Sequence, residues 1–261
     1  MTDFLDTLTA AAPRLWEATL VTLQLSVGGA AVAFVVAVLL GLASLSGVAL
    51  VRGTSRVVVE FFRGTSLVVQ LFWLFFVLPQ LGVDLPSMTT GILALGLNYG
   101  AYGSEVVRGS INAVPKGQWE TTVALSMSPV TTMRRVIWPQ AWALMLPGLN
   151  NLLIMLIKGS ALAGFIFLQD LTFVTDQLRR TTDTFVAFGI GMVIYYLIAL
   201  GASGVLRWLE RRAQRRLGLA PPTRRERIRQ NAETARLQGT GAVGAPAGGG
   251  AAGAPTGGGA P

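Results

Sequence analysis

The chain of 261 residues contains no cysteine and no histidine. The first absence removes disulfides, thiolate nucleophiles and sulfur ligands. The second removes the commonest transition-metal ligand and the usual general base, so no metal site is expected. Lysine is almost missing too: only Lys116 and Lys158 occur, each followed by Gly. The phosphate-cradling pattern G-x-x-x-x-G-K-[ST] needs a lysine followed by Ser or Thr, so ATP held in that way would be held by another chain. Charge is scarce as well, at 13% of residues, where a soluble domain has about 25%. It is also unevenly spread, with none of Asp, Glu, Lys or Arg in the 34 positions between Glu17 and Arg52. A helix needs only about 20 apolar residues to cross the hydrocarbon core of a bilayer.

Hydrophobic residues make up 52% of the chain and gather into segments. The first runs from Ala18 to Leu45 and carries small residues (Gly28, Gly29, Ala30, Ala31, Ala33) that permit close helix packing in lipid. The second spans Gly64 to Val83, the third Met88 to Ser104, the fourth Ala141 to Ile157, with SALAGFIFL continuing it beyond Lys158, and the fifth Thr184 to Leu206. Residues 46–63 read as a short connection. Five crossings are expected in an all-α integral membrane protein. Residues 1–17 lack a basic start and a cleavage site and read as a retained flank; 18–217 form the membrane domain. Residues 218–261 end in a run of Gly, Ala, Pro and Thr that cannot offset its ordering entropy by packing, so a disordered tail is expected.

The net charge of +8 does not point to nucleic acid, because the basic residues concentrate from Arg207 onward, after the last apolar segment. That pattern suits a flank facing anionic lipid. Placing residues 46–63, 105–140 and the tail on one side collects most Arg and Lys there. The basic-residue rule then puts the N-terminus outside and the C-terminus in the cytoplasm.

The interval 105–140 holds the most informative text, PKGQWETTVALSMSPVTTMRRVIWPQAW over residues 115–142. Pro115 and Gly117 break the preceding helix. Gln118 to Leu125 favour one or two helical turns, with Trp119, Val123 and Leu125 supplying apolar contacts. Ser128-Pro129 reads as a second start, since Ser caps free N–H groups and Pro is tolerated at the first helical position. That helix is expected to stop before Pro139. Two short helices with a bend at Ser126–Met127 make a knob that a partner can grip.

This text resembles the EAA motif of importer-type ABC transporter permeases, E-A-A-x3-G-x9-I-x-L-P. Glu120 falls at the Glu, Ser126 at the Gly, Val136 at the Ile, Trp138 at the Leu and Pro139 at the Pro. EFFRGTSLVVQLFW (60–73), LNYGAY (97–102), EVVRGSINAVPKGQWE (105–120) and RRVIWPQAW (134–142) are similar to the polar-amino-acid importer branch, over roughly residues 15–215. The resemblance implies a type I importer permease fold. It implies a cytoplasmic ABC ATPase subunit that carries ATP and Mg, with no cofactor in this chain. A second permease subunit, identical or not, and an extracellular or periplasmic solute-binding protein are implied as well. Gly117, Gln118, Trp119, Glu120, Thr121, Thr122 and Ser126 would then form the ATPase-coupling element. Thr121 and Thr122 stand where the motif has alanines, so the ATPase groove is expected to accept slightly larger, polar residues. Ser126 replaces a glycine of the bend, which would tighten there or shift to Met127. These departures, with IWPQAW, are similar to permeases of ectoine uptake, and ectoine is a zwitterionic amino-acid derivative.

Candidates for a substrate path are Gln70, Asn98, Asn150, Asn151 and Lys158, polar groups in or near apolar segments. Hydrogen bonds between helices account for such amides equally well, and a lysine near a segment's edge can snorkel to the interface. Arg134 and Arg135 read as topology determinants beside lipid headgroups. An ion-coupled transporter would show internal repeats or intramembrane carboxylates, and none lies mid-segment. A membrane enzyme would need a carboxylate pair that the sequence does not offer.

Overall fold

A computed structural model describes residues 2–216, with side chains from residue 9 to residue 215. The tail expected to be disordered lies outside the described residues. Every regular element among the described residues is helical. The first, α1 (Thr2–Ala43), runs without interruption through Pro13, so the flank expected over residues 1–17 is a helical extension of the first apolar segment. At 42 residues it is about 63 Å long, twice the hydrocarbon thickness.

The connection expected over residues 46–63 is instead a helix, α2 (Ala49–Gly64). Arg52, Arg56, Glu60 and Arg63 recur at spacings of three and four along it, and Ser55 and Val59 are buried on the adjoining face, with Arg56 and Glu60 turned outward. After Thr65 and Ser66 the chain turns by 101° into α3 (Leu67–Phe72), which continues as a π turn over Trp73–Val77 and a 3-10 turn over Leu78–Leu81. The π turn comes two residues before Pro79. A proline lacks the N–H that an α-helix needs and its ring crowds the carbonyl four residues back, so a widened turn accommodates it.

Next, α4 (Ser87–Asn112) extends well past Ser104. Glu105, Arg108 and their neighbours, expected in a polar interval, are its last turns. It is the most enclosed helix, with α1 lying along its length. At Gly96 and Gly100 there is no room for a side chain: a Cβ would collide with Val32 and, at 2.7 Å, with Val36. Glycine lets the two backbones approach this closely.

The second pair of short helices departs from expectation. After α5 (Lys116–Ala124) and α6 (Pro129–Thr132), the helix does not stop before Pro139. A π turn over Met133–Ile137 carries it directly into α7 (Trp138–Gly159), in which Pro139 sits in the first turn. The same pairing of π turn and proline thus recurs at both places. A 3-10 stretch (Ser160–Ile166), the short α8 (Leu171–Arg179) and α9 (Thr184–Arg216) complete the described residues.

Among the described residues, three helical runs are long and apolar enough to cross a membrane, Thr9–Ala43, Pro129–Ile166 and Thr184–Arg215, and the bent pair α2–α3 makes a fourth if it counts as one span. The remaining expected crossing, α4, has 26 residues, about 39 Å of helix, but too many polar ones to qualify on hydropathy. Packing explains this: a helix sheathed by others needs no apolar exterior.

Candidate functional site

The knob formed by α5 and α6 is held rigidly from beneath. Trp119 packs against a cluster made by Ala37 of α1, Val107 and Ile111 of α4, and Ile137, Ala141 and Met145 of the π turn and α7. Gln140 donates to the side-chain oxygen of Gln118 at 3.2 Å and to the carbonyl of Val136 at 2.9 Å, tying α5 to the start of α7. Thr122 is buried and its hydroxyl donates to the Trp119 carbonyl at 2.8 Å. It therefore faces the membrane domain, and the expectation that a partner's groove meets both threonines is corrected: Thr121 alone is exposed, its hydroxyl bonded to the carbonyl of exposed Gly117 at 2.7 Å.

The bend lies at Ser126 itself and is not displaced to Met127. Ser126 adopts φ 52°. Its N–H donates to the Val123 carbonyl at 2.9 Å and the next N–H, of Met127, to the Thr122 carbonyl at 3.0 Å. This is a Schellman closure with serine at the left-handed position usually given to glycine. The Ser128 hydroxyl then caps α6, accepting from the N–H of Thr131 at 3.4 Å, with Pro129 in the first turn as the sequence implied.

What the knob presents outward differs from expectation. Val123 and Leu125 do not pack inward beside Trp119. They are 76% and 68% exposed, as is Val130 at 76%, and Glu120, Arg134 and Arg135 are exposed with them. Glu120 makes no ion pair among the described residues. Three large apolar side chains thus stand exposed on the knob, between charges that form no ion pair among the described residues.

The substrate-path candidates divide into two groups. Gln70 and Asn98 come together at the α2–α3 elbow. The Gln70 amide donates to the Phe62 carbonyl at 3.0 Å and to the Thr65 hydroxyl at 2.7 Å. The Asn98 amide donates to the same carbonyl at 3.1 Å and to the Gln70 side-chain oxygen at 3.3 Å. Tyr102 adds a bond to the Arg63 carbonyl at 3.1 Å. A helix ending in a sharp turn leaves its last carbonyls without partners, and side chains from α3 and α4 supply them. Asn150, Asn151 and Lys158 instead belong to α7. Leu144, Pro147, Asn151, Met155 and Lys158 are all exposed, at spacings that place them along one face of that helix. The carboxamide oxygen of Asn150, one position away, is buried without a partner.

One polar residue went unremarked in the sequence. Asp170 is fully buried and caps α8, accepting from the N–H groups of Phe173 at 3.0 Å and Thr172 at 3.3 Å. The Tyr195 hydroxyl of α9 donates to it at 3.3 Å, while the neighbouring Leu171 N–H donates to Thr22 of α1 at 3.0 Å. Burial raises its carboxyl pKa above the ordinary range, and these donors partly oppose the rise. The sequence signal was Asp170 immediately before an amphipathic turn.

The sequence matches the family described as binding-protein-dependent transport system inner membrane component over residues 33–215. It is 44% identical over 183 residues to a probable amino-acid ABC transporter permease protein, y4tF, of Sinorhizobium fredii, covering 64% of this chain and 77% of that one. It is 37% identical to the L-cystine transport system permease protein TcyB of Bacillus subtilis, covering 69% of this chain and 78% of the other. A crystal structure of an amino acid ABC transporter with histidines contains a chain that superposes with a TM-score of 0.73 at 32% identity, over 81% of this chain and 99% of that one.

Proposed function

The chain belongs to the family of binding-protein-dependent transport system inner membrane components, and on that premise we propose that it is the translocation subunit of an ATP-driven amino-acid importer. It is a multi-pass protein of the cell membrane. The observation that carries the proposal further is the knob: a rigid, buttressed helix pair with exposed Glu120, Val123, Leu125 and Val130. An ATPase subunit that grips this surface moves α5 and α6, and because α6 runs through the π turn into α7, the displacement reaches a membrane-spanning helix without a flexible joint.

In this reading α4 is the fifth crossing, the N-terminus faces outward and the knob faces the cytoplasm. One chain encloses no path by itself, so a second permease subunit completes it. The exposed face of α7 carrying Asn151 and Lys158 turns toward that path, while Gln70 and Asn98 hold the elbow. ATP and Mg reside on the ATPase, and a solute-binding protein delivers the cargo. The named relatives support an amino acid as the solute class. Within it, the substitutions in the EAA-like loop favour a zwitterionic amino-acid derivative such as ectoine.

The test is co-purification of the tagged chain from its native membrane in mild detergent, with Glu120→Arg alongside. An ATPase subunit that accompanies the natural chain and is lost from the folded variant supports the reading. Absence of any ATPase under stabilising conditions, together with solute transport by the chain alone in liposomes, refutes it.

A further inference from the structure

Three adjoining cavities form one groove between α1, α7 and α9. The largest, about 880 Å³, lies between Trp16 and Val27 of α1 and Ile190 and Gly201 of α9. It meets a narrower stretch of about 180 Å³ at Ala30, Leu153 and Leu206. That stretch opens in turn, past Phe34, Trp142 and Leu209, into a mouth of about 710 Å³ bordered by Trp138 and Arg212. Apart from Thr19 and Ser26 in the largest part, the walls are apolar until the mouth. There, the Arg212 guanidinium lies over the Trp208 ring at 5.4 Å and pairs with no carboxylate among the described residues. Arg207, Arg211 and Arg215 are exposed on the same turns.

We infer that this groove holds one anionic glycerophospholipid, its phosphate at Arg212 and an acyl chain running down the apolar wall toward Gly201. Three observations select this occupant. The eleven residue steps from Gly201 to Arg212 rise about 16 Å, the depth of one leaflet of a roughly 30 Å hydrocarbon core. The joining stretch, about 180 Å³, is lined almost wholly by apolar side chains, which suits an acyl chain. A second protein segment over the mouth would also desolvate an unpaired guanidinium, which a phosphate instead pairs with. Trp138 and Trp142 line the mouth, and tryptophan is a residue type enriched at membrane interfaces.

Gly201 supplies a clean probe, since nothing lies within 4 Å of a Cβ built there and a larger side chain enters the groove rather than the protein. The experiment is native mass spectrometry of the full-length chain with phosphatidylglycerol or phosphatidylcholine of identical acyl chains. The natural chain is expected to retain one phosphatidylglycerol in preference. Arg212→Gln should weaken that preference roughly fivefold, the worth of one basic residue near a lipid surface. Arg211→Gln, outside the groove, should change it little. Gly201→Phe should reduce retention of both lipids, and its helical circular dichroism reports whether it folds. Equal retention of the two lipids, or an Arg212→Gln chain indistinguishable from Arg211→Gln, would overturn the inference. A Gly201→Phe chain that loses a dimer while keeping its lipid would overturn it too, by assigning the groove to a second copy.

Discussion

The backbone N–H of Met127 donates to the carbonyl of Thr122, and this 3.0 Å bond closes the knob around a serine held at φ 52°. A residue with a Cβ in that conformation is strained by roughly 1 kcal/mol relative to glycine. Ser126→Gly should therefore keep the bend and stabilise it. Ser126→Val, β-branched at the same position, should open it. Limited proteolysis between residues 124 and 128 distinguishes the two, with slower cutting expected for the glycine variant and faster cutting for the valine variant.

The elbow gives a prediction of the opposite kind. Asn98→Leu removes two hydrogen bonds at a buried site and withdraws one donor from the Phe62 carbonyl. The loss should be about 1–3 kcal/mol. Combined with Gln70→Leu it should be less than additive, because the two amides bond to each other and share that carbonyl. The yield and melting temperature of purified protein should fall, while the KM for solute of the surviving fraction stays unchanged. A raised KM with normal stability would place these amides on the path.

Close packing of α1 on α4 predicts a steep response to size. Gly100→Val introduces side-chain atoms where a Cβ alone would lie 2.7 Å from Val36. Overpacking of this kind typically costs 1–3 kcal/mol or about that order. Val36→Ala in the same chain should recover part of the loss in melting temperature. No recovery would mean that the crowding lies elsewhere.

Asp170 should make stability depend on pH. Its folded-state pKa is raised by burial, so the folded chain binds its proton more tightly than the unfolded chain does. Its contribution is therefore fullest in acid. It declines as pH rises from the ordinary carboxylate value, about 4, through the raised folded value. Asp170→Asn keeps an acceptor for the cap and removes the titration. The melting temperature of the natural chain should fall relative to that variant as pH rises across this window, and a difference independent of pH would contradict the assignment.

Much of this architecture was legible in the sequence for identifiable reasons. Long uncharged runs mark α1 and α9 because lipid tolerates little else. The Ser128-Pro129 start was legible because a helix cap is a local device. The elbow helix α2 was not, although Arg52, Arg56, Glu60 and Arg63 carried its period, because a connection rich in charge invites reading as a loop. Continuity across Pro139 depended on the π turn that precedes it, whereas a proline at that place in a sequence reads as a helix stop. The outward direction of Val123 and Leu125 could not be read either: over nine residues an apolar side chain packed beneath and one left exposed look alike, and of the three apolar side chains only Trp119 packs against the core.

That outward patch carries the central claim, and uptake tests it most directly. The chain would be reconstituted into liposomes with its partner permease, ATPase and solute-binding protein, and ATP-dependent accumulation of radiolabelled amino acid measured for the natural chain and for Leu125→Asp. The account predicts accumulation by the natural complex, absent without ATP, and a loss of at least tenfold in the variant although its membrane helices fold normally. Undiminished, ATP-dependent uptake by the Leu125→Asp complex would contradict it.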